Sequence, residues 1–472
     1  MPGHKLGRGI PAAFLEHIEK LDLTEIPGTD NLHRPTGAIG EAQELAASAF
    51  GARKSFFLVN GCTVGLHAAM AAVCRPGQRL IVGRDCHRSV INGMLLAGVT
   101  PVYVLPEYSG SFGIHTGIPA EAVGKALEAA PDAAGVLITR PSYYGICSNI
   151  REIADVAHSH GKPVIVDEAH GSHFRFCERL PSSALEAGAD ICIQSAHKTL
   201  PAFTQGAYLH VGTERVDAER LERYLDMFQT TSPSYVIMAY LDIAREIMQK
   251  NGKALLEGLL DRIEANSRGI GQSGIRLMTA EDIPGFELDR TRITANVSAL
   301  GITGYDAERL LRELYKIQVE MSDLNNIVCI STVSDDEETV RKLFEGLKGL
   351  EKAAGKADAR KRPAGGEQPA SGEEPACGER PSFEELCSFR ALTLPDRVLS
   401  PYEIINAGTG KIPLREAPGR VSREIISPYP PGIALVCPGE AISAEMVRYL
   451  EQVLQCGGVV NGIDENGCVL VI

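Results

Sequence analysis

The sequence lacks any stretch of about 20 apolar residues, which is the length that a helix needs to cross a bilayer. Its first residues, MPGHKLGRGIP, also lack the apolar core of a secretory signal peptide. The 12 cysteines are scattered, and no two of them form a C-x-x-C pair, which indicates reduced thiols rather than disulfides. These absences predict a cytoplasmic protein.

Basic side chains are too few to favour nucleic acid as a partner. The chain has 47 Lys and Arg against 60 Asp and Glu, a net charge of −13. Phosphate backbones are bound by clustered Lys and Arg, so this balance argues against nucleic acid binding. An acidic surface mildly favours cationic substrates.

At 472 residues the chain is long enough for about three domains of roughly 150 residues each. Between about residues 53 and 212, helical stretches alternate with seven apolar runs: SFFLVN, RLIVG, TPVYVLP, AGVLITR, KPVIVDE, ADICIQS and GAYLHVG. Such alternation predicts an α/β domain with a mostly parallel sheet between helices. The last two runs are too close for a full helix, so we expect a loop between them.

After residue 235 the pattern predicts long helical segments, YVIMAYLDIAREIMQ and ALLEGLLDRIEANS, followed by strands in ITANVSAL and NIVCISTVS. Residues 351–385 have few large apolar side chains and are expected to form a flexible linker. The predicted units are an N-terminal segment (1–35), a major domain (36–235), a small α+β domain (236–350), this linker and a C-terminal domain (386–472).

Two charged residues at strand ends suggest a cofactor. Asp167 ends the run KPVIVD, and Lys198 follows the next run, in SAHKT. Open α/β sheets place ligand-binding side chains at such strand ends. A pyridoxal-5′-phosphate (PLP) enzyme needs a lysine that forms an imine with the aldehyde and a carboxylate that keeps the pyridine nitrogen protonated. Asp167 and Lys198 meet both needs.

Both residues also have simpler interpretations. A lone lysine after a strand is usually a solvated surface charge, and a lone strand-end Asp is as often a turn or cap. The letters DEAH also occur in nucleotide-hydrolysing motors, which need an upstream G-x-x-x-x-G-K-[ST] loop. No such loop exists, and GTGKIP (408–413) lies downstream and lacks the hydroxyl residue.

A phosphate-binding turn is predicted where NGCTVG follows the first strand and opens a helix. Backbone N–H groups near Gly61, Cys62 and Thr63 are placed to bind a dianion, with help from the helix dipole and the Thr63 hydroxyl. The same letters also suit an ordinary helix start with a threonine cap. Ser195 and His197 are second candidates for the phosphate.

Three histidines are candidates for other contacts. His87, in DCHRS, is expected to stack on the pyridine ring, although an exposed histidine at a helix entry has the same pattern. His170 is expected to line the substrate side of the cofactor. His170 and His173 resemble a metal pair, but no third ligand and no H-E-x-x-H motif accompany them, so no metal is expected.

Together these motifs resemble the ornithine/lysine/arginine decarboxylases, PLP-dependent enzymes of the aspartate-aminotransferase fold (fold type I). The likeness runs over nearly the whole chain and is greatest to a short bacterial branch without an N-terminal wing domain. It rests on MPGHK, GCTVG, DCHRS, RPSYYGI, DEAHGSH, SAHKTLPAFTQ, TTSPSY and PYPPGIALVCPGE in this order. The resemblance implies a seven-stranded, mostly parallel sheet in the PLP-binding major domain and smaller α+β C-terminal domains.

The resemblance also implies residue roles. Lys198 is then the Schiff-base lysine, Asp167 the partner of the pyridine nitrogen and His87 the stacking ring. Thr63, Ser195 and His197 become phosphate or near-phosphate ligands, and Glu440 a substrate-side carboxylate. Relatives usually have Ser where this chain has Cys62, so only the backbone N–H of Cys62 carries over as a contact.

The implied reaction is decarboxylation of a basic L-amino acid, with arginine to agmatine in polyamine biosynthesis expected first and lysine or ornithine as alternatives. An aminotransferase or aldolase of the same fold and a catalytically silent regulator remain further alternatives. The resemblance implies a homodimer or larger homo-oligomer, with the TTSPSY segment near the partner's cofactor. Relatives carry a helical lead before PGHK, so either the start codon lies upstream or this dimer-stabilising lead is missing.

Overall fold

The structure, a computed structural model, describes residues 1–270, 274–361, 394–430 and 432–472. Its main sheet contains all seven predicted strands: β1 (Lys54–Leu58), β2 (Arg79–Gly83), β3 (Thr100–Val104), β4 (Val136–Thr139), β5 (Val164–Asp167), β6 (Ile191–Gln194) and β7 (Ala207–Val211). Their spatial order is β1-β7-β6-β5-β4-β2-β3. Strand β7 is antiparallel to β1 and β6, and every other pairing is parallel. The prediction of a mostly parallel sheet is confirmed.

Alternate residues of the strands pack into different cores, one on each face of the sheet. In β2, Leu80 and Val82 join one hydrophobic cluster, whereas Ile81 joins another. In β5, Ile165 likewise joins the first cluster and Val166 joins the second. This alternation explains the continuous apolar runs, because successive strand side chains point to opposite faces and both faces are covered.

Helices cover both faces. One face carries the helices Gly61–Val73, Arg88–Ala97 and Ala218–Phe228. The other face carries Ala38–Phe50, Ala120–Ala129, Ile150–Ser159 and the first part of Tyr235–Ser267. Between β6 and β7 the chain forms only a one-turn helix, Ala196–Thr199, within a loop. The expected loop therefore carries Lys198.

The small domain is built on an antiparallel sheet. Its strands lie in the order Arg276–Leu277, Arg292–Asn296, Asn326–Ile330 and Met321–Ser322. They pack with the helices Gly304–Leu310 and Glu337–Lys361. The two helical segments predicted after residue 235 are one continuous helix, Tyr235–Ser267. Gly252 lies within it and packs against Phe176, where a Cβ atom would stand 3.0 Å from the Phe176 Cβ.

The C-terminal domain has its own hydrophobic core around Leu414, Val436 and Leu450. Its elements are the helices Pro401–Asn406 and Ala444–Gln455 and the strand pairs Gly410–Pro413 with Cys468–Val471 and Ser427–Tyr429 with Val459–Asn461. The helix that ends at Lys361 extends into the predicted linker, and residues 362–385 of that linker lie outside the described residues. No helix in the described part of the chain is long and apolar enough to cross a membrane.

Candidate active site

A cavity of about 300 Å³ opens at the edge of the main sheet, where the loops after β1, β2, β4, β5 and β6 meet. Ligands of open α/β sheets bind at such an edge. Nine of the ten predicted site residues line it: Gly61, Cys62, Thr63, His87, Asp167, His170, Ser195, His197 and Lys198. The tenth, Glu440, does not.

Lys198 lies in the one-turn helix after β6, and its amine faces His170. The Lys198 Nζ to His170 Nε2 distance is 3.0 Å. Burial lowers the pKa of Lys198, while the nearby Asp167 carboxylate acts in the opposite direction. A lysine with a lowered pKa is more often uncharged at neutral pH, which makes it a better nucleophile towards an aldehyde.

Asp167 is the last residue of β5 and is almost completely buried. Its Oδ1 accepts a hydrogen bond from the Ala169 backbone N–H at 3.2 Å. Burial raises its pKa, and the nearby Lys198 charge opposes that rise. No ion pair joins Asp167 to a basic side chain in the described residues. A buried carboxylate that no cation neutralises is well suited to hold a protonated ring nitrogen.

His87 begins the helix Arg88–Ala97 and also lines the cavity. Its Nδ1 accepts a hydrogen bond from the Ser89 backbone N–H at 3.2 Å and lies 2.6 Å from the Ser89 hydroxyl oxygen. Burial lowers the pKa of His87 to about 4, with the charges of Lys198 and Arg88 adding to the effect. The ring is therefore neutral at pH 7. His87 does begin a helix, but it is partly buried in the cavity wall rather than exposed, and its stacking on a cofactor ring stays a prediction.

The turn that the sequence predicts to bind phosphate lies at the start of the helix Gly61–Val73. The helix Gly61–Val73 starts directly after β1, and no side chain caps it, since the Asn60 side chain makes no capping hydrogen bond. Gly61 adopts a φ of +76°, a backbone conformation that favours glycine. The first N–H groups of the helix therefore face the cavity without an internal partner and can bind an anion.

The side chains around this turn differ in whether they already have hydrogen-bond partners. The Cys62 Sγ lies 2.9 Å from the Ser195 Oγ, so these two groups already contact each other. His197 donates from Nδ1 to the Gly206 carbonyl at 3.0 Å, which leaves its Nε2 as an acceptor while the ring is neutral. Burial lowers the pKa of His197 to about 4. A phosphate contact through His197 would need the protonated ring, which a bound dianion favours.

His170 and His173 point to different partners. His170 lies between Lys198 and Arg292, whose Nη2 is 2.5 Å from the His170 Nδ1. The His173 Nε2 lies 3.1 Å from the Thr291 hydroxyl and 3.4 Å from an Asp289 carboxylate oxygen. Across the described ranges, no group of three or more His, Cys, Asp or Glu side chains is arranged to hold a metal ion.

Glu440 lies at the contact between the major and C-terminal domains. Its two carboxylate oxygens accept hydrogen bonds from the Arg84 guanidinium at 3.0 and 2.8 Å, and one also accepts from the Cys437 backbone N–H at 2.7 Å. Both Arg84 and Glu440 are buried. This geometry favours an ion-pairing role for Glu440 over the expected contact with substrate.

Sequence reasoning did not identify Arg292, Tyr143 or Thr139 as site residues. Tyr143 and Thr139 line the cavity, and the Thr139 hydroxyl is buried without a hydrogen-bond partner in the described chain. Arg292 is buried behind the cavity, against His170. An arginine that opens the apolar strand RITAN was a usable signal, because buried strands rarely contain an unpaired charge.

The donor set fits PLP. An uncapped helix N-terminus suits the phosphate, Asp167 the ring nitrogen and the Lys198 amine the aldehyde, and all three line one cavity. The unpartnered Thr139 hydroxyl indicates that the cavity keeps polar groups for a ligand.

Comparisons with known proteins identify the family of the chain. Residues 1–283 match the model of the Orn/Lys/Arg decarboxylase major domain, and residues 389–465 match that of the C-terminal domain. The arginine decarboxylase of Halalkalibacterium halodurans is 37% identical over 99% of this chain and 92% of its own length.

Solved structures share the fold. The lysine decarboxylase LdcF of Francisella novicida superposes with a TM-score of 0.78 at 20% identity, over 100% of this chain and 78% of its own. A structure of SPT with PLP superposes with a TM-score of 0.57 at 15% identity, over 74% of this chain and 86% of its own. The fold is that of the PLP-dependent transferases of fold type I. The chain belongs to the Orn/Lys/Arg decarboxylase family.

Proposed function

We propose that this protein is a PLP-dependent decarboxylase that converts arginine to agmatine. The observation that carries the proposal is the shared cavity, in which a lysine with a lowered pKa and a buried carboxylate without a cationic partner face the same space. The family membership gives the reaction class, and the similarity to an arginine decarboxylase over nearly the whole chain supports arginine as substrate.

The cofactor would be held by the backbone N–H groups near Gly61, Cys62 and Thr63, by the His87 ring, and by Asp167 and Lys198. When bound, PLP supplies a protonated heterocycle that accepts the electron pair left when the bond between Cα and the carboxylate breaks. Asp167 would hold the proton on the ring nitrogen, because a positive N–H would stabilise its buried carboxylate. Lys198 would hold the cofactor through its amine.

The product needs one proton at Cα, and the residues beside Lys198 can supply it. The Lys198 Nζ lies 3.0 Å from the His170 Nε2, so a proton shared by this pair would be available for Cα. His170 and His87 are neutral at pH 7 because burial lowers the pKa of each.

An aminotransferase on this fold would need an arginine free to hold the substrate α-carboxylate. The charge of Arg292 lowers the pKa of Lys198, so this arginine is the candidate. It is buried, however, and its guanidinium contacts His170 and the Tyr143 carbonyl. It does not line the cavity. This arrangement favours decarboxylation over transamination, which retains the carboxylate.

A homodimer and a cytoplasmic location belong to the same proposal. The ten cysteines in the described residues are all free thiols, which is consistent with a reducing compartment. Large apolar side chains are exposed along the N-terminal segment, including Leu6, Phe14, Leu15 and Ile26, and a second subunit would cover them.

Product analysis tests the proposal. The purified enzyme with PLP is incubated separately with arginine, lysine and ornithine, and CO₂, agmatine, cadaverine and putrescine are quantified. We expect CO₂ and agmatine in equal amounts from arginine and much slower release from the other two. Exclusive formation of cadaverine or putrescine would replace the substrate, and a keto acid without CO₂ would contradict the reaction.

A further inference from the structure

His170 is held between two basic groups, and this arrangement restricts where its protons can lie. Arg292 Nη2 is 2.5 Å from His170 Nδ1, and Lys198 Nζ is 3.0 Å from His170 Nε2. Both ring nitrogens are thus engaged by side chains that usually donate hydrogen bonds. His170 itself is buried, so water does not easily replace either partner.

The Arg292 guanidinium has donors and no acceptor, and it stays charged in proteins. The His170 Nδ1 must therefore accept from Arg292. A neutral imidazole has one accepting and one protonated nitrogen, so the proton lies on Nε2. If Lys198 were an ammonium and also donated to Nε2, the ring would have to be an imidazolate anion, which does not form near neutral pH. The Lys198 amine must then accept from Nε2–H.

Arg292 is itself held in place. Its Nη1 donates to the Tyr143 carbonyl at 2.8 Å, and the Tyr143 ring contacts the His170 ring edge to face at 5.7 Å between centroids. Arg292 opens the strand Arg292–Asn296 of the small domain, whereas Tyr143 and His170 belong to the major domain. The small domain therefore supplies the group that orients the histidine.

We propose that Arg292 fixes His170 in its Nε2-protonated tautomer, so that His170 donates to Lys198 and holds the Lys198 amine as the uncharged nucleophile. Arg292 is a positioning residue that acts on the cofactor lysine through His170. The inference rests on the proposed PLP role of Lys198, and it assigns a function to a residue outside the cavity lining.

The pKa shifts of Lys198 and His170 are consistent with this arrangement. Burial lowers the pKa of Lys198 and of His170, and the Arg292 charge lowers both further. The main charged or titratable groups acting on Lys198 are Cys62, Asp167, Arg292 and Glu320, and those acting on His170 are Lys198, Arg292, His87 and His197. Loss of the Arg292 charge should raise the pKa of Lys198, because a like charge is removed and Nε2 becomes free to accept.

The test uses the full chain freed of PLP and follows, as a function of pH, the rate at which added PLP is captured, read from its visible absorbance. Arg292→Gln removes the charge, Arg292→Lys keeps a cationic donor, and Arg276→Gln removes a cation from the neighbouring strand as a matched control. In Arg292→Gln we expect the midpoint of the capture rate to rise by about one pH unit, a roughly tenfold slower capture at pH 7. The two other variants should keep the wild-type midpoint.

A second measurement reads the tautomer directly in the wild-type protein and does not depend on folding of the Arg292 variants. Nitrogen-15 NMR of wild-type protein labelled at histidine, with His170→Gln used for assignment, should show a protonated Nε2 and an unprotonated Nδ1. A protonated Nδ1, or an unchanged capture midpoint in Arg292→Gln, would overturn the inference. Neither readout requires decarboxylation, so a failed substrate test and a failed tautomer test are distinguishable.

Discussion

Two regions of the molecule bury charge in opposite ways. At the contact between the major and C-terminal domains, Arg84 and Glu440 form a bidentate pair, Arg84 also donates to the Leu435 carbonyl, and its guanidinium lies 4.5 Å from the centre of the Tyr103 ring. In the cavity, neither Asp167 nor Lys198 forms an ion pair within the part of the chain that the structure describes, and the Lys198 amine contacts the neutral His170 ring instead. Buried charges are normally paired, so unmatched ones mark a place where a ligand completes the structure.

The largest expected effect comes from removing the cavity lysine. Lys198→Ala should lower the rate of decarboxylation by on the order of 10⁴-fold or more, because the covalent anchor of the cofactor is lost. The visible absorbance of bound PLP should disappear while the circular dichroism spectrum is retained. An active, coloured variant would show that Lys198 is not the anchor.

Removing the charge of Asp167 should have the second largest effect on the reaction rate. Asp167→Asn keeps size and shape but loses the charge that holds the proton on the ring nitrogen, so we expect PLP to bind and the rate to fall by on the order of 10²–10³-fold. Steady-state rates and a PLP titration measure the two effects separately. Wild-type turnover in this variant would remove the electrostatic role of Asp167.

The domain contact should respond in stability rather than in chemistry. Arg84→Met leaves the Glu440 carboxylate buried with a poorer partner, since Arg397 Nη2 lies 3.5 Å away, and should lower the free energy of unfolding by about 3–5 kcal/mol. Urea denaturation measures this change.

Glu440→Gln separates the two roles considered for this residue. On the ion-pair interpretation the variant is less stable and its KM for arginine stays close to wild type. A KM raised by about tenfold or more, equal to roughly 1.4 kcal/mol, would instead support the contact between Glu440 and the substrate that the resemblance implies.

The smallest expected effect is on the stability of the PLP-free protein, in which Lys198 is buried without an ion-pair partner among the described residues. Lys198→Met should raise the free energy of unfolding of the PLP-free protein at pH 7 by about 1–3 kcal/mol, because a poorly satisfied buried polar group is removed. The folded pKa of Lys198 is lowered, so the unfolded state binds more protons and wild-type stability rises with pH towards the ordinary lysine pKa. The difference between the two proteins should therefore shrink as pH rises from 7. A destabilised variant would mean that Lys198 is structurally paired.

The sequence was sufficient to predict the main sheet and most of the cavity, for one physical reason. Strands buried on both faces read as continuous apolar runs, and polar residues at their ends gather at one edge of a parallel sheet. Asp167, Lys198 and His87 were found in this way.

Contacts between residues that are distant in sequence could not be predicted. Arg292 contacts His170 across 122 positions, and Glu440 contacts Arg84 across 356. The continuity of the helix Tyr235–Ser267 is a similar case, because Gly252 within it packs against Phe176, which is distant in sequence. These features depend on tertiary packing, which local sequence patterns do not specify.

Covalent mapping of the cofactor tests the central claim most directly. The purified enzyme with PLP is treated with borohydride, which makes the link to the cofactor permanent, and the digested protein is analysed by mass spectrometry. We expect one pyridoxyl group per chain, on Lys198. A pyridoxyl group on another lysine, or a fully active enzyme that carries none, would contradict the assignment of this cavity as the PLP site.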